Sequence, residues 1–365
     1  MNILRWKINF ALCAVFISSF ALAETTKSAS VKSEDMHFSL VGNIVPLQYN
    51  FQEQQVDTYF SKLQLIVFGG IPYIPNSYFL INGRMEKEAK VVFALFQIPL
   101  WKTQYLSINS GGMTLSNALV QSSATQLLLE PATKLYEQFE GDSGVSIEIG
   151  GPITQDKKFT YRTFASGGMS LSNYLASNLA KRSVEHYQFA VGSQLGINLI
   201  GSYSQWDSPF LYQETPPALA FIVGAKFDQR AYEQFAAVDW QLVLRYKRWV
   251  AAVENYVKRE IAYGAWQVMY HIELGYLLWP EHFLLGVDGG QFLSQHFADT
   301  KTPVEKLESF TSYNYWQTRA VLHWFFWKNV GIASLSYVHE KTGPLTATDA
   351  TLVADSVRIE VQYRF

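Results

Sequence analysis

Of the chain's 365 residues, 15% are aromatic and only 16% charged, against roughly 25% charged in an average soluble protein. Yet beyond residue 23 no stretch approaches the roughly 20 unbroken apolar residues with which a helix spans a bilayer. That excludes a helical membrane bundle. It leaves apolar side chains spread by alternation, as they are along the strands of a membrane barrel. The formal charge is −2 and long basic runs are missing, so nothing points to a nucleic-acid partner.

Residues 1–23 read as a secretory signal. Arg5 and Lys7 form its basic start, residues 8–22 its apolar core, and Ala21-Leu22-Ala23 a small-x-small cleavage site before Glu24. Cleavage removes two of the 29 basic residues and none of the 31 acidic ones, taking the formal charge from −2 to −4. It also removes Cys13, the single cysteine, so the mature chain is expected to have no disulfide, thiolate metal site or cysteine nucleophile. No cofactor is expected. Residues 24–36 are small and polar and read as a disordered lead-in. Residues 37–365 then form one domain.

About four strands can be named before Lys90. Residues 93–98 read as a strand that ends at Pro99. Strand parity makes residues 99–142 a single outer excursion, well beyond ordinary loop length. It holds two bases, Lys102 and Lys134, and four acids, Glu130, Glu137, Glu140 and Asp142. It also holds Leu115, Leu119, Val120 and Leu127 to Leu129, which would pack on a barrel wall rather than face water. This excursion is expected to fold into the lumen and form its narrowest point.

Next, Val145, Ile147 and Ile149 alternate with Ser146 and Glu148, residues 150–157 turn, and Phe159 and Tyr161 flank Thr160 and Arg162. Parity then requires residues 206–237 to be one outer loop, although 218–227 looks strand-like by itself. Trp240, Leu242, Leu244 and Tyr246 alternate with Gln241, Val243, Arg245 and Lys247. The same period of two runs through Trp266 to Leu274, with Gln267, Met269, His271 and Glu273 on one face, and through Arg319 to Phe326. Aromatic clusters at 246–249, 276–279 and 324–327 sit beside tight turns, as the girdles of a membrane barrel do.

The last strand is the clearest. Val357, Ile359, Val361, Tyr363 and Phe365 fall on one face, and Ser356, Arg358, Glu360, Gln362 and Arg364 on the other. Its aromatic ending, Tyr363 and Phe365, resembles the signal read by the barrel assembly machinery. With short inner turns and longer outer loops, such as the one expected over residues 341–355, the segments predict an all-β fold. It is a transmembrane antiparallel barrel of about 16 strands, with long outer loops folding into the lumen.

The order of these segments resembles the phosphate-selective porin O and P family over residues 91–365. The likeness is carried by Phe93-Ala94-Leu95-Phe96-Gln97-Ile98-Pro99-Leu100, by Ser143 to Gly150 with the Tyr161 return strand, by the hairpin from Val238 to Tyr256, and by Trp266 to Tyr270 with Trp279-Pro280. The resemblance implies a 16-stranded barrel in outer-membrane lipids, commonly a homotrimer, passing small hydrophilic solutes or ions past arginines and lysines. Two bases against four acids in residues 99–142 do not make a phosphate funnel, however. The pore candidates are those six residues together with Arg162, Arg245, Arg319 and Arg358.

Catalytic patterns are weak. The seven histidines show no helical metal-ligand spacing and no Gly-x-Ser-x-Gly elbow occurs. Ser334 and Ser336 lie one strand from His323, which allows a surface Ser–His pair in principle; an enzyme is not expected. His271 and His323 fall on inward faces, as polar filling or as a proton-sensitive gate. Two function classes follow. One is a pore. The other is a plugged barrel serving adhesion, structure or uptake of apolar substrates, to which inward Val243, Met269, Val321 and Phe325 would contribute.

Overall fold

The computed structural model describes residues 36–364, apart from 86–88, 102, 111–114, 117–126, 129–134, 136–144, 168–188, 205–206, 208, 230–233, 262–263, 296–313 and 344–350. The strands are β1 (Met36–Asn50), β2 (Gln55–Gly69), β3 (Tyr78–Met85), β4 (Ala89–Pro99), β5 (Tyr105–Ser110), β6 (Val145–Pro152), β7 (Phe159–Gly167) and β8 (Phe189–Ile200). They continue as β9 (Thr215–Gln229), β10 (Gln234–Lys247), β11 (Trp249–Glu260), β12 (Trp266–Trp279), β13 (Phe283–Gln295), β14 (Tyr315–Trp327), β15 (Gly331–Thr342) and β16 (Leu352–Arg364). Each pairs antiparallel with its sequence neighbours, and β16 pairs with β1 to close the barrel. Closure satisfies both edges, which is what lets a sheet sit in lipid.

Alternation decides which side chains face where. On β16, Ser356, Glu360 and Gln362 are buried inward while Ile359 on the other face is exposed. On β12, Gln267, Met269 and His271 are buried, and Trp266, Tyr270, Ile272 and Leu274 are outward. Tyr246, Trp249, Trp279, Trp324 and Trp327 form an exposed aromatic band at one rim. There Trp249 and Tyr276 lie with ring centres 4.3 Å apart, and Tyr363 meets Phe326 and Trp327 edge-on.

That rim carries the tight turns. Lys157, Lys247, Glu281 and Lys328 each take a left-handed backbone there, with φ between 48° and 67°. A β-carbon makes that region costly, yet these side chains reach water from the rim. On β1 the face flips once. The ladder skips between Val45 and Gln48, and Pro46, which has no N–H to donate, sits at that irregularity.

Two expectations need correction. Residues 206–237 are not one outer loop. Residues 215–229 are the strand β9, which runs full ladders with both β8 and β10. Residues 201–214 link β8 to β9 at the tight-turn rim. Alternation was hidden because the inward positions Ala218, Ala220 and Ile222 are as apolar as their outward neighbours. Nor are residues 99–142 one excursion. Pro99 lies at the tight-turn rim, and the short strand β5 returns from there with Leu106 and Ile108 outward and Ser107 and Asn109 inward. The long connection is 111–144. The last outer link is also shorter than 341–355, because β15 runs to Thr342 and β16 starts at Leu352.

Candidate pore lining

The inward face carries charge in hydrogen-bonded groups. The first lies on β12 to β14. Glu273 stands directly across from Asp288, and Asp288 across from Arg319. The Arg319 Nε donates to Asp288 Oδ1 at 3.0 Å, its Nη2 reaches Oδ2, and His271 Nε2 lies 3.0 Å from the same Oδ2. His271 Nδ1 is 4.0 Å from Glu273 Oε1. His271, Glu273 and Asp288 could in principle hold a metal ion. The two imidazole nitrogens, however, address different carboxylates, and Arg319 already occupies both oxygens of Asp288. The arrangement is an ion-paired network, which a cation could enter only by displacing the guanidinium.

The second group crosses β5 to β11. Tyr105 donates its hydroxyl to Glu148 Oε1 at 2.8 Å, and Arg162 Nη1 lies 3.5 Å from Glu148 Oε2. Arg162 Nε donates to Gln194 Oε1 at 2.8 Å. Gln194 and Gln241 both donate to the carbonyl oxygen of Leu115, at 2.9 and 3.0 Å, filling its two acceptor sites. Ser116 donates to Glu254 Oε2 at 3.1 Å. Next to this group a cavity of about 300 Å³ is lined by Arg162, Gln194, Asn198, Lys157 and Tyr203.

The third group is apolar with one histidine. His323 Nε2 lies 2.7 Å from the carbonyl oxygen of Leu127 and Nδ1 lies 2.7 Å from Ser334 Oγ. A carbonyl only accepts, so Nε2 carries the proton and Nδ1 takes the serine hydroxyl. The Ser–His pair foreseen on the surface is therefore inside the wall, with both residues buried. Around it Leu127, Leu128 and Leu211 pack with Val250, Leu277, Leu284, Val321, Phe325 and Ile332, and Phe210 and Tyr212 lie against them.

Of residues 111–144, Leu115, Ser116, Leu127, Leu128 and Leu135 are described, and all are buried. Leu115 and Leu135 pack with Phe164, Tyr256, Met269, Phe292 and Tyr315. Gly224, Gly275, Gly286 and Gly290 give these leucines room, since a β-carbon at any of them would come within 2.6 to 2.9 Å of Leu115, Leu127 or Leu135.

Among the sequence candidates, Arg162 and Arg319 are buried in the networks above, and Arg245 lies 3.8 Å from Asp207 of the 201–214 link. Arg358 shares the inward face of β16 with Glu360. Tyr363 is in the rim band. Lys102, Lys134, Glu130, Glu137, Glu140, Asp142 and Phe365 lie outside the described residues. Sequence reasoning missed Glu148 as the partner of Arg162, Glu254 as that of Ser116, Glu273 as a neighbour of His271, and Asp288 as the partner of Arg319. The first and third already stood on faces read as inward, and cross-strand pairing was the unused signal. It also missed Phe210, Leu211 and Tyr212, because their segment was assigned to the wrong rim.

No protein-family model matches the chain, and no curated protein matches its sequence. Solved structures do match. An anion-selective porin from Comamonas acidovorans superposes with a TM-score of 0.57 at 7% identity, covering 91% of this chain and 100% of that one. OprB of Pseudomonas putida, solved at high pH, gives 0.57 at 7%, covering 91% and 94%. Outer-membrane expressed OmpT of Vibrio cholerae gives 0.55 at 8%, covering 94% and 100%. The fold is like that of outer-membrane barrels. At such identities the likeness extends to architecture alone, and the narrower resemblance to phosphate-selective porins finds no match.

Proposed function

We propose that the protein is an outer-membrane channel through which small hydrophilic solutes or ions diffuse. The observation that carries this reading is the inward face of the closed barrel. Among the described residues seven acids (Glu148, Asp228, Asp239, Glu254, Glu260, Asp288, Glu360) and five bases (Lys62, Arg162, Lys226, Lys258, Arg319) are buried there. Charged groups lining a lumen are the material of ion selectivity, and an excess of acid favours cations. The fold likeness to porins supports the same reading. The signal at residues 1–23 and the Tyr363–Phe365 ending fit export and barrel assembly. The tight-turn rim then faces the periplasm and the outward apolar faces meet outer-membrane lipid. A homotrimer is what the porin resemblance implies, and OmpT of Vibrio cholerae has been solved in a trimer form. The 111–144 segment folds into the lumen in this reading, with Leu115 and Leu127 held to its wall.

A second reading, a plugged barrel, draws support from the apolar cluster around Leu127 and Phe325. Planar-bilayer recording on the purified protein separates the two. Discrete conductance steps support the channel, and silence at every voltage supports the plug.

A further inference from the structure

The cavity beside Arg162 lies at the tight-turn end of the lumen. Its walls come from β4 to β9 and from residues 202–204. Asn198 fixes its shape. The Asn198 Nδ2 donates to the Lys157 carbonyl oxygen at 2.8 Å, and its Oδ1 accepts the Tyr203 N–H at 3.2 Å. One amide thereby ties the β6–β7 turn to β8 and to the start of the 201–214 link. Gly196 keeps the floor clear. It stands opposite Thr160 in the β7–β8 ladder, where a β-carbon would come within 2.5 Å of Thr160 Oγ1. A glycine inside a strand marks such places of close approach.

The charge here runs against the rest of the wall. Among the described residues two bases, Lys157 and Arg162, line the cavity and no acid does. Glu148 stands beside it, 3.5 Å from Arg162, and offsets part of that charge. The other buried acids lie on β9 to β11, β13 and β16. Around the bases stand the hydroxyls of Thr160, Ser202 and Ser204 and the amides of Gln97 and Gln194. Tyr203 is buried, and its hydroxyl makes no hydrogen bond among the described residues.

We propose that this cavity is a subsite for a small monoanionic polyhydroxy acid, a sugar acid of the gluconate kind. Arg162 and Lys157 take the carboxylate, for which a guanidinium fork is well shaped. The amides and hydroxyls take the solute's hydroxyl groups. A neutral sugar would leave the bases unanswered, and a bare anion such as phosphate would leave the amides and hydroxyls unused. At about 300 Å³ the cavity is at the small end of ligand sites, which suits a solute of sugar size. The subsite deepens the channel reading and rests on it, so its test needs a readout besides current.

That readout is titration calorimetry on the folded protein in detergent. Sodium gluconate is compared with glucose, which has the hydroxyls without the charge, with hexanoate, which has the charge without the hydroxyls, and with inorganic phosphate. Gluconate is expected to bind about tenfold tighter than any of the three. Arg162→Gln is expected to weaken gluconate by about tenfold or more, because it removes a charged hydrogen-bonding partner. Lys157→Gln should weaken it by about threefold, since an exposed cation contributes less. Lys157→Gln and Gly196→Ala, whose methyl would crowd the floor, serve should Arg162→Gln fail to fold by heat-modifiable gel mobility. Gluconate bound no tighter than glucose, hexanoate or phosphate overturns the proposal, as does unchanged affinity in every folded variant. Current through a protein that binds no gluconate refutes the subsite alone. Gluconate binding that these variants weaken, in a protein that passes no current, upholds the subsite and refutes the channel instead.

Discussion

Arg319 and Asp288 face each other across β13 and β14, the guanidinium holding both carboxylate oxygens while His271 holds one of them. Both side chains are nearly inaccessible. Breaking such a pair leaves a charge stranded, at about 3–5 kcal/mol. Asp288→Asn and Arg319→Met are each expected to destabilise the barrel by that order, while the double variant loses much less than the sum. Urea unfolding in lipid vesicles gives the cycle; strict additivity would show that the two residues act separately.

His323→Ala should cost about 2–4 kcal/mol, because it empties ring volume and leaves both the Ser334 hydroxyl and the Leu127 carbonyl without their bonds. Ser334→Ala removes one bond and should cost about 1 kcal/mol. The same unfolding measurement checks the order; an equal cost for both would mean that Leu127 is not anchored through the imidazole.

The β16 faces can be told apart by charge. Ile359 is outward and Glu360 inward. Ile359→Arg should cost about 2–4 kcal/mol if it lies at mid-membrane depth, and Glu360→Gln far less. Phe365→Asp is expected to lower the folded yield through loss of the assembly signal, read by gel mobility. Mass spectrometry of outer-membrane fractions should find a chain beginning at Glu24.

Selectivity should follow the acid excess. Salt-gradient reversal potentials are expected to show a weak cation preference, and Glu148→Gln should move the potential toward anions. Strong anion selectivity in the unaltered protein would mean that Arg162, Arg319 and Arg358 dominate the field.

Strands whose two faces meet different surroundings were legible without coordinates. β10, β12, β14 and β16 alternate because lipid lies on one side and polar groups on the other. β9 looks strand-like by itself over 218–227, but parity overrules it; its alternation is too faint to resist, because Tyr203 packs on its inward side in a cluster with Ala218, Ala220, Ile222 and Val243. Apolar residues then stand on both faces and period two vanishes. β5 was lost for another reason. Six residues give too few alternations to stand out beside a turn. The inward arginines were legible as cations, but their partners were not. Register joins Asp288 to Arg319 across 31 positions, and an error of one residue would turn a side chain to the other face. The 201–214 contacts were hidden by the same parity error that erased β9.

The seam between β1 and β16 sets the timing of folding. Asn43 donates to Glu360 across a sequence separation of 317, and every ladder bond that joins Val41–Asn50 to β16 waits for the last strand. Until then two strand edges carry unpaired N–H and C=O groups that lipid cannot solvate. Neither edge can enter the bilayer alone at acceptable cost, so closure and insertion are one event, and it comes last. A nascent chain short of residue 356 leaves the β1 edge that β16 would cover, residues 41–50, without its partner, and it must be kept from pairing with other chains. Its life between synthesis and membrane is therefore spent as an open sheet or an unfolded chain, and the speed of that final pairing, more than the stability of any hairpin, determines how much of it escapes aggregation.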